Sequence, residues 1–351
     1  MTKLYIVALE PLETRYTGHW FQYLPKQISA NTSLEVIQIA GEVLEDAVTE
    51  GAFLNFSSTV NWKSDQIKQL AVLFNKNQVK NGDKFLFTDF WNPGAHFIRY
   101  MADLLGLTVE IIGICHAGAY DPHDLLGQKM ANKRWANNLE QSFDSLYDKL
   151  IFATNFSRDL YLRGVKVDYM PEKHIVTGFP MEYYDEVLPC YWDLGWRSQK
   201  ENLIIFPHRK SPEKNIELFY ALKDKLPQYE FVVCSDVAKT KADYHNLLYR
   251  SKLMFSGSFQ ETLGIGTYES LRAGAAILVP DRLSYTEMYW KMFKYDPDIF
   301  IFGQLEVEML TDRINNTMIN FDSYKEKIKA QCNAVGARYF NGIEFYYVLE
   351  N

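Results

Sequence analysis

At 351 residues the chain is longer than a single hydrophobic core usually sustains, so two domains are expected. An apolar share of 47% is enough to fill both, and an aromatic share of 15% suits ligand walls as well as packed cores. Lys and Arg number 37 against 44 Asp and Glu, a net charge of −7, which excludes a general attraction to nucleic acid and leaves only a local basic groove for such a partner.

The first apolar run, 4–9, is too short for a signal peptide or a membrane span and reads as a buried strand. No later segment reaches spanning length, so no membrane span is expected. A helix-like stretch over 18–29 and a strand over 34–40 follow. A third strand over 84–88 leads into Asp89-Phe-Trp-Asn-Pro-Gly94 and a helix over 95–105, which Gly106 is placed to end. Strands over 109–115, 149–153 and 174–177, with a helix over 155–162, complete the first half. The segment 179–200 carries Pro180, Pro189 and Gly195 and reads as a connector. The alternation then restarts, with strands over 203–206, 230–234, 253–255 and 276–279. Helices are expected over 212–226, 242–249, 266–273, 311–318 and 321–340.

This alternation predicts an α/β protein with two Rossmann-like domains whose parallel sheets face across a cleft. The first spans 1–178 and the second 201–325, with a C-terminal helix over 326–351 packing back on the first. Functional residues are then expected at the carboxyl ends of strands. Cys115, Cys190, Cys234 and Cys332 form no CxxC pair, and the plain reading is a reducing, cytoplasmic setting. Nothing in the sequence speaks to oligomeric state.

The richest stretch is Glu261-Thr-Leu-Gly-Ile-Gly-Thr-Tyr-Glu269. Gly264 and Gly266 let the backbone approach a ligand and open a helix N-terminus, which favours phosphate. The two carboxylates repel phosphate and suit paired hydroxyls, as on a sugar or a ribose. Arg209 follows an expected strand and Lys214 comes five positions later, a pair of cations suited to a diphosphate leaving group. In the first half, His116 follows a strand among small residues and is placed to hydrogen-bond a sugar hydroxyl or phosphate. Asp89 is a candidate base towards an acceptor hydroxyl, with Trp91 a stacking surface. After the first strand, Gly18 is expected to let its loop pass close to phosphates, with Arg15 or His19 near the acceptor. His116, Asp121, His123 and Asp124 match no usual zinc spacing, so no metal site is expected.

Together these residues resemble the retaining nucleotide-sugar glycosyltransferases of the GT-B fold, whose signature reads E-G-F-G-L-x-x-x-E-A-M-A-x-G-x-P-V. The chain has Glu261 and Glu269 in register, followed by Ser-Leu-Arg-Ala-Gly274-Ala-Ala-Ile, with Thr262 in place of a Gly and Ala276 in place of the Pro. Arg209 and Lys214 keep the spacing of the family's G-R-x-x-x-x-K, but Pro207-His208 replaces its small, glycine-bearing lead-in. Val176-Thr-Gly178-Phe-Pro is similar to the family's interdomain Pro-Asn-Gly-Val. The resemblance covers 200–285 well and 1–175 only in topology.

The resemblance implies that Glu269 binds the donor ribose and Glu261 the sugar hydroxyls, with the backbone of Leu263, Gly264 and Ile265 close to sugar and phosphate. Arg209 and Lys214 then stabilise the departing diphosphate and His116 contacts the donor sugar. It implies a nucleotide-sugar donor, a UDP-sugar first among them, and no metal. The aromatic, Asn-rich tone also resembles bacteriophage glycosyltransferases that decorate hydroxymethylated pyrimidines in DNA. That acceptor, in a host cytoplasm, requires a basic lip, for which Arg158, Arg163 and Lys166, or Lys129, Lys133 and Arg134 with Trp135, are the candidates. The alternatives are a glycan or lipid-glycan acceptor, a nucleotide-sugar epimerase, and a binding module without turnover.

Overall fold

The computed structural model describes residues 1–12, 15–44, 49, 54–130, 132–194, 199–297 and 304–351. Glu13 and Thr14 of the expected Arg15 loop, and 195–198 of the expected connector, lie outside the described residues. The chain divides into two compact units, Met1–Met181 with Asn341–Asn351, and Glu182–Phe340.

The first unit runs β1 (Lys3–Val7), α1 (Tyr16–Asn31), β2 (Glu35–Ile39), α2 (Phe56–Asn75), β3 (Lys84–Phe87), α3 (Gly94–Leu105), β4 (Glu110–Cys115), α4 (Leu125–Lys129), α5 (Lys133–Leu146), β5 (Lys149–Phe152), α6 (Asn155–Val165) and β6 (His174–Val176). Its sheet is parallel throughout, in the order β2-β1-β3-β4-β5-β6. Strands such as Lys-Phe-Leu-Phe of β3 are buried along their whole length, because helices cover both faces of a parallel sheet. Tyr5 of β1 lies opposite Phe85 of β3, and their rings stack at 4.9 Å. Strand order reverses between β1 and β3, so their carboxyl ends flank the crevice where ligands bind in such sheets.

The second unit runs α7 (Tyr184–Val187), β7 (Glu201–Phe206), α8 (Ile216–Lys225), β8 (Glu230–Val233), α9 (Cys234–Val237), α10 (Lys241–Arg250), β9 (Ser251–Phe255), α11 (Ile265–Arg272), β10 (Ala276–Pro280), α12 (Tyr285–Met288), β11 (Lys294–Tyr295), α13 (Gln304–Ile319) and α14 (Phe321–Tyr339). This sheet is also parallel, in the order β11-β10-β9-β7-β8. Its order reverses between β7 and β9, which carry the Arg209 loop and the approach to Glu261.

The last helix, α15 (Ile343–Glu350), belongs to the first unit, whereas α14 belongs to the second, so the returning segment starts at Asn341 rather than 326. Its final carbonyls are met by lysines at the amino ends of strands. Lys84 Nζ donates to Leu349 O at 2.7 Å and Lys149 Nζ to Val348 O at 3.2 Å. Both also pair with Glu110, at 2.9 and 2.6 Å. Cations at a helix C-terminus satisfy orphan carbonyls and offset the helix dipole.

Two long helices, α2 and α5, lie outside the sequence expectation. The buried side of α2 is Ser58, Trp62, Gln66, Leu70 and Phe74, a strict fourfold spacing interrupted by polar residues. Gln66 is tolerated in the core because its Nε2 donates to Ala8 O at 2.7 Å, just past β1, and to Ile39 O at 2.9 Å, the last residue of β2. Helix α5 likewise buries Glu140 and Asp144 beside Ala136, Phe143 and Leu146. The expected helix over 95–105 is α3, ended by Gly106 in the left-handed conformation at φ 64°.

Candidate functional site

At the switch point of the second sheet, β7 runs out through Pro207, His208 and Arg209, and a short 3-10 turn at Pro212–Lys214 leads into α8. Lys214 is buried there. Its ammonium donates to Gln260 O and pairs with Glu261 Oε2 at 3.2 Å. Burial pushes the Glu261 carboxyl up, but Lys214 and the Gly264 N–H outweigh it and hold the group below its usual value.

Gly264 is the residue before α11, with φ 71°, and a Cβ there would come within 2.9 Å of the Tyr285 ring. Glycine meets both demands. The first turn of α11 therefore opens beside the Lys214–Glu261 pair, with the side chain of Leu263 turned into the core. Beneath it lie buried hydroxyls, with Ser256 Oγ 3.0 Å from Ser258 Oγ and 3.4 Å from Tyr285 Oη.

Arg209 sits in the same loop, where its Nη2 pairs with Glu213 Oε1 at 2.6 Å. Glu269, the fifth residue of α11, is buried and held at both oxygens. Tyr184 Oη donates to Oε1 at 2.7 Å and Tyr244 Oη to Oε2 at 2.6 Å. Arg272, one turn on, donates to Leu188 O at 2.9 Å, Tyr184 O at 3.1 Å and Asp185 Oδ1 at 2.9 Å. It thus holds the α7 segment that presents Tyr184 to Glu269. The fold brings Lys214, Glu261 and Gly264 into one cluster, and Arg209 joins it along the loop.

His208 is a residue that the sequence reading passed over. It is 8% exposed, packs edge-on against Phe206 at 5.1 Å, and its Nε2 has no hydrogen-bond partner among the described residues. Burial, reinforced by Lys214, holds its imidazole down at about 3, so it is neutral at ordinary pH. The one signal in the sequence was the Pro-His departure from a small lead-in.

In the first unit the expected roles meet local competition. His116 Nε2 lies 2.8 Å from Thr88 O and its Nδ1 lies 3.0 Å from Tyr16 Oη. A carbonyl only accepts, so Nε2 carries the proton and Nδ1 accepts from the tyrosine. Burial holds the ring below its usual value, among Tyr16, Trp20 and Phe179. Both nitrogens are thus engaged by the protein, so a sugar hydroxyl would have to compete with Thr88 O or the Tyr16 hydroxyl. Asp89 pairs with Lys63 Nζ at 3.2 Å and accepts from the Trp91 N–H at 3.2 Å. Trp91 is not a free stacking face: its Nε1 donates to Glu140 Oε1 at 2.9 Å and its ring packs on Trp135 and Phe143. Gly18 lies in the first turn of α1 rather than in a loop.

Glu140 is the second residue missed. It is 1% exposed, accepts from Trp91 and from the Tyr120 N–H at 3.3 Å, and its Oε2 has no partner among the described residues. The His116–Tyr120 loop closes over it so tightly that a Cβ on Gly118 would lie 2.5 Å from Oε1. Burial pushes its carboxyl up from 4.5 to about 7, with Asp124 adding to the rise. The folded protein therefore holds a proton that the unfolded chain releases. Stability from this group is full below the unfolded value and is lost as pH rises through 7, by on the order of 3 kcal/mol. Glu140→Gln is expected to flatten that loss, read as denaturation midpoints at pH 5 and pH 8. An equally steep decline in the variant would contradict it.

Of the two candidate basic clusters, Arg158 is taken by Asp159 at 2.8 Å and lies over the Tyr169 ring at 4.9 Å. Lys129, Lys133, Arg134 and Trp135 are exposed. Among the described residues no group of three or more His, Cys, Asp or Glu is placed to hold a metal ion. No described helix is long and apolar enough to cross a membrane.

No family model matches the chain, and no curated protein matches it. Solved structures do. Sucrose-phosphate synthase from Thermosynechococcus elongatus aligns with a TM-score of 0.63 at 10% identity, over 99% of this chain and 97% of that one. WaaG, a glycosyltransferase involved in lipopolysaccharide biosynthesis, aligns at 0.57 and 10% identity, over 99% and 98%. TarM aligns at 0.53 and 12% identity over 82% of this chain, which spans 58% of TarM's own length. At these identities the likeness is one of fold, the GT-B architecture of two Rossmann-like units with parallel sheets.

Proposed function

We propose that this chain is a retaining glycosyltransferase that moves a sugar from a nucleotide-sugar to a hydroxyl of a carbohydrate acceptor. The observation that carries the reading is the buried Lys214–Glu261 pair beside left-handed Gly264 at the start of α11, at the switch point of a nucleotide-binding type of sheet. Lys214, Arg209 and the first N–H groups of α11 stabilise charge on the departing diphosphate. Glu261 accepts from sugar hydroxyls, and Glu269, held in place by Tyr184 and Tyr244, accepts from the ribose. A UDP-sugar is the first donor to test.

A carbohydrate acceptor is favoured over hydroxymethylated DNA. The matched structures include an enzyme of lipopolysaccharide biosynthesis, the net charge of this chain is −7, and Arg158 of one candidate basic lip is already paired. The test is a screen of labelled UDP-, ADP- and GDP-sugars against glycans, hydroxymethylcytosine DNA and water, with and without EDTA. Transfer to a glycan that survives EDTA is the expected result. Transfer confined to the modified DNA, falling steeply with salt, would replace the acceptor reading. Donor epimerisation, or binding without turnover, would overturn the reaction class. Loss on chelation with recovery on adding a divalent ion would overturn the metal-free assignment.

A further inference from the structure

The two cations at the mouth of β7 are already matched. Arg209 pairs with Glu213 and Lys214 with Glu261, so these four side chains carry no net formal charge. A diphosphate brings negative charge that this balanced set does not offset without further N–H donors. The opening turn of α11 offers some. One side chain beside the same pair has a nitrogen uncommitted.

That side chain is His208. It follows the carboxyl end of β7, is more than nine-tenths buried, and its Nε2 meets no partner among the described residues. The charged groups that face it are Lys214, Glu261 and Arg209. An unsatisfied buried polar atom is costly to a fold, so one at a ligand crevice calls for an explanation. Towards an anion only the tautomer with a proton on Nε2 is attractive.

We propose that His208 contacts the substrate, its Nε2–H donating a hydrogen bond to a diphosphate oxygen of the nucleotide donor, next to Lys214 and the start of α11. This rests on the glycosyltransferase reading. No proton is transferred. The ring acts as an uncharged donor whose hydrogen bond strengthens as the leaving oxygen gains charge. Burial and Lys214 keep the imidazole neutral, so it adds no limb to the pH profile between about 5 and 8.

The experiment uses the full chain with H208F, which keeps an aromatic ring against Phe206, and H208Q, which restores an N–H near Nε2. Turnover is followed with whichever nucleotide-sugar the wild type consumes, and binding of UDP, ADP and GDP by calorimetry. H208F is expected to lower kcat by roughly 10² with a smaller change in nucleoside diphosphate affinity. H208Q should recover at least a tenfold share of the lost rate. If H208F loses its thermal transition, H208L takes its place. Full kcat in H208F, equal defects in H208F and H208Q, or a wild-type pH limb that vanishes in H208Q would each overturn the proposal while leaving the reaction class standing. Failure of the wild type to bind any of the three nucleotides would instead sink the glycosyltransferase reading, and this inference with it.

Discussion

Lys214→Ala is expected to lower kcat by roughly 10²–10³ while nucleotide affinity falls by less. The ammonium is buried, donates to Gln260 O and lies 3.2 Å from Glu261 Oε2. In the ground state that carboxylate already offsets it. On the proposed reaction, charge builds on the leaving oxygen as the sugar–phosphate bond breaks and the lysine gains an interaction that it lacked before, so its loss is expected to show in kcat. Removing it also leaves Glu261 in a buried setting without its nearest cation, an arrangement that costs stability. Lys214→Arg separates the two effects, because it keeps the charge while changing its geometry. Steady-state kinetics with the donor, alongside thermal unfolding of each variant, make the comparison. A rise in KM at unchanged kcat would remove Lys214 from the leaving-group role.

Arg272→Ala is expected to cost about 2–4 kcal/mol of stability, from the loss of several buried hydrogen bonds at about 1 kcal/mol each. Its guanidinium reaches Leu188 O, Tyr184 O, Asp185 Oδ1 and, at 3.2 Å, the Tyr268 hydroxyl. The effect should extend to function. The segment it holds carries Tyr184, whose hydroxyl sits on Glu269 Oε1 at 2.7 Å, so a loosened α7 leaves Glu269 less well oriented. Arg272→Lys can satisfy only part of this fork and should recover a fraction of the loss. Urea denaturation gives the stability change and calorimetry with UDP the binding change. A shift below about 1 kcal/mol would mean that other contacts hold the segment.

The alternation of short apolar strands with helices was legible because it is local. A strand buried on both faces must be apolar along its length, as in Leu4–Val7 and Ile111–Cys115, and a glycine such as Gly106 is favoured where the chain takes a left-handed turn. The Glu261–Glu269 stretch was legible for the same reason, since its glycine, its acids and the start of α11 lie within nine consecutive positions. Helices α2 and α5 were not, because Gln66 and Glu140 occupy core positions. A buried polar residue is held there by distant backbone or side-chain groups, and those partners come from Ala8, Ile39, Trp91 and Tyr120. Periodicity read from hydropathy cannot include them.

By itself, then, the sequence determined two parallel α/β units and singled out one loop as the candidate for a diphosphate beside hydroxyls. Which charges in that loop face each other was decided only by the tertiary structure. Lys214 meets Glu261 across 47 positions and Tyr16 meets His116 across 100, whereas Arg209 turns to its near neighbour Glu213. The same packing gave Glu269 two tyrosine partners and left His208 with an unpartnered nitrogen. The physical reason is that backbone propensity and burial act along the chain, while a hydrogen bond or ion pair depends on a separation of about 3 Å that only packing sets.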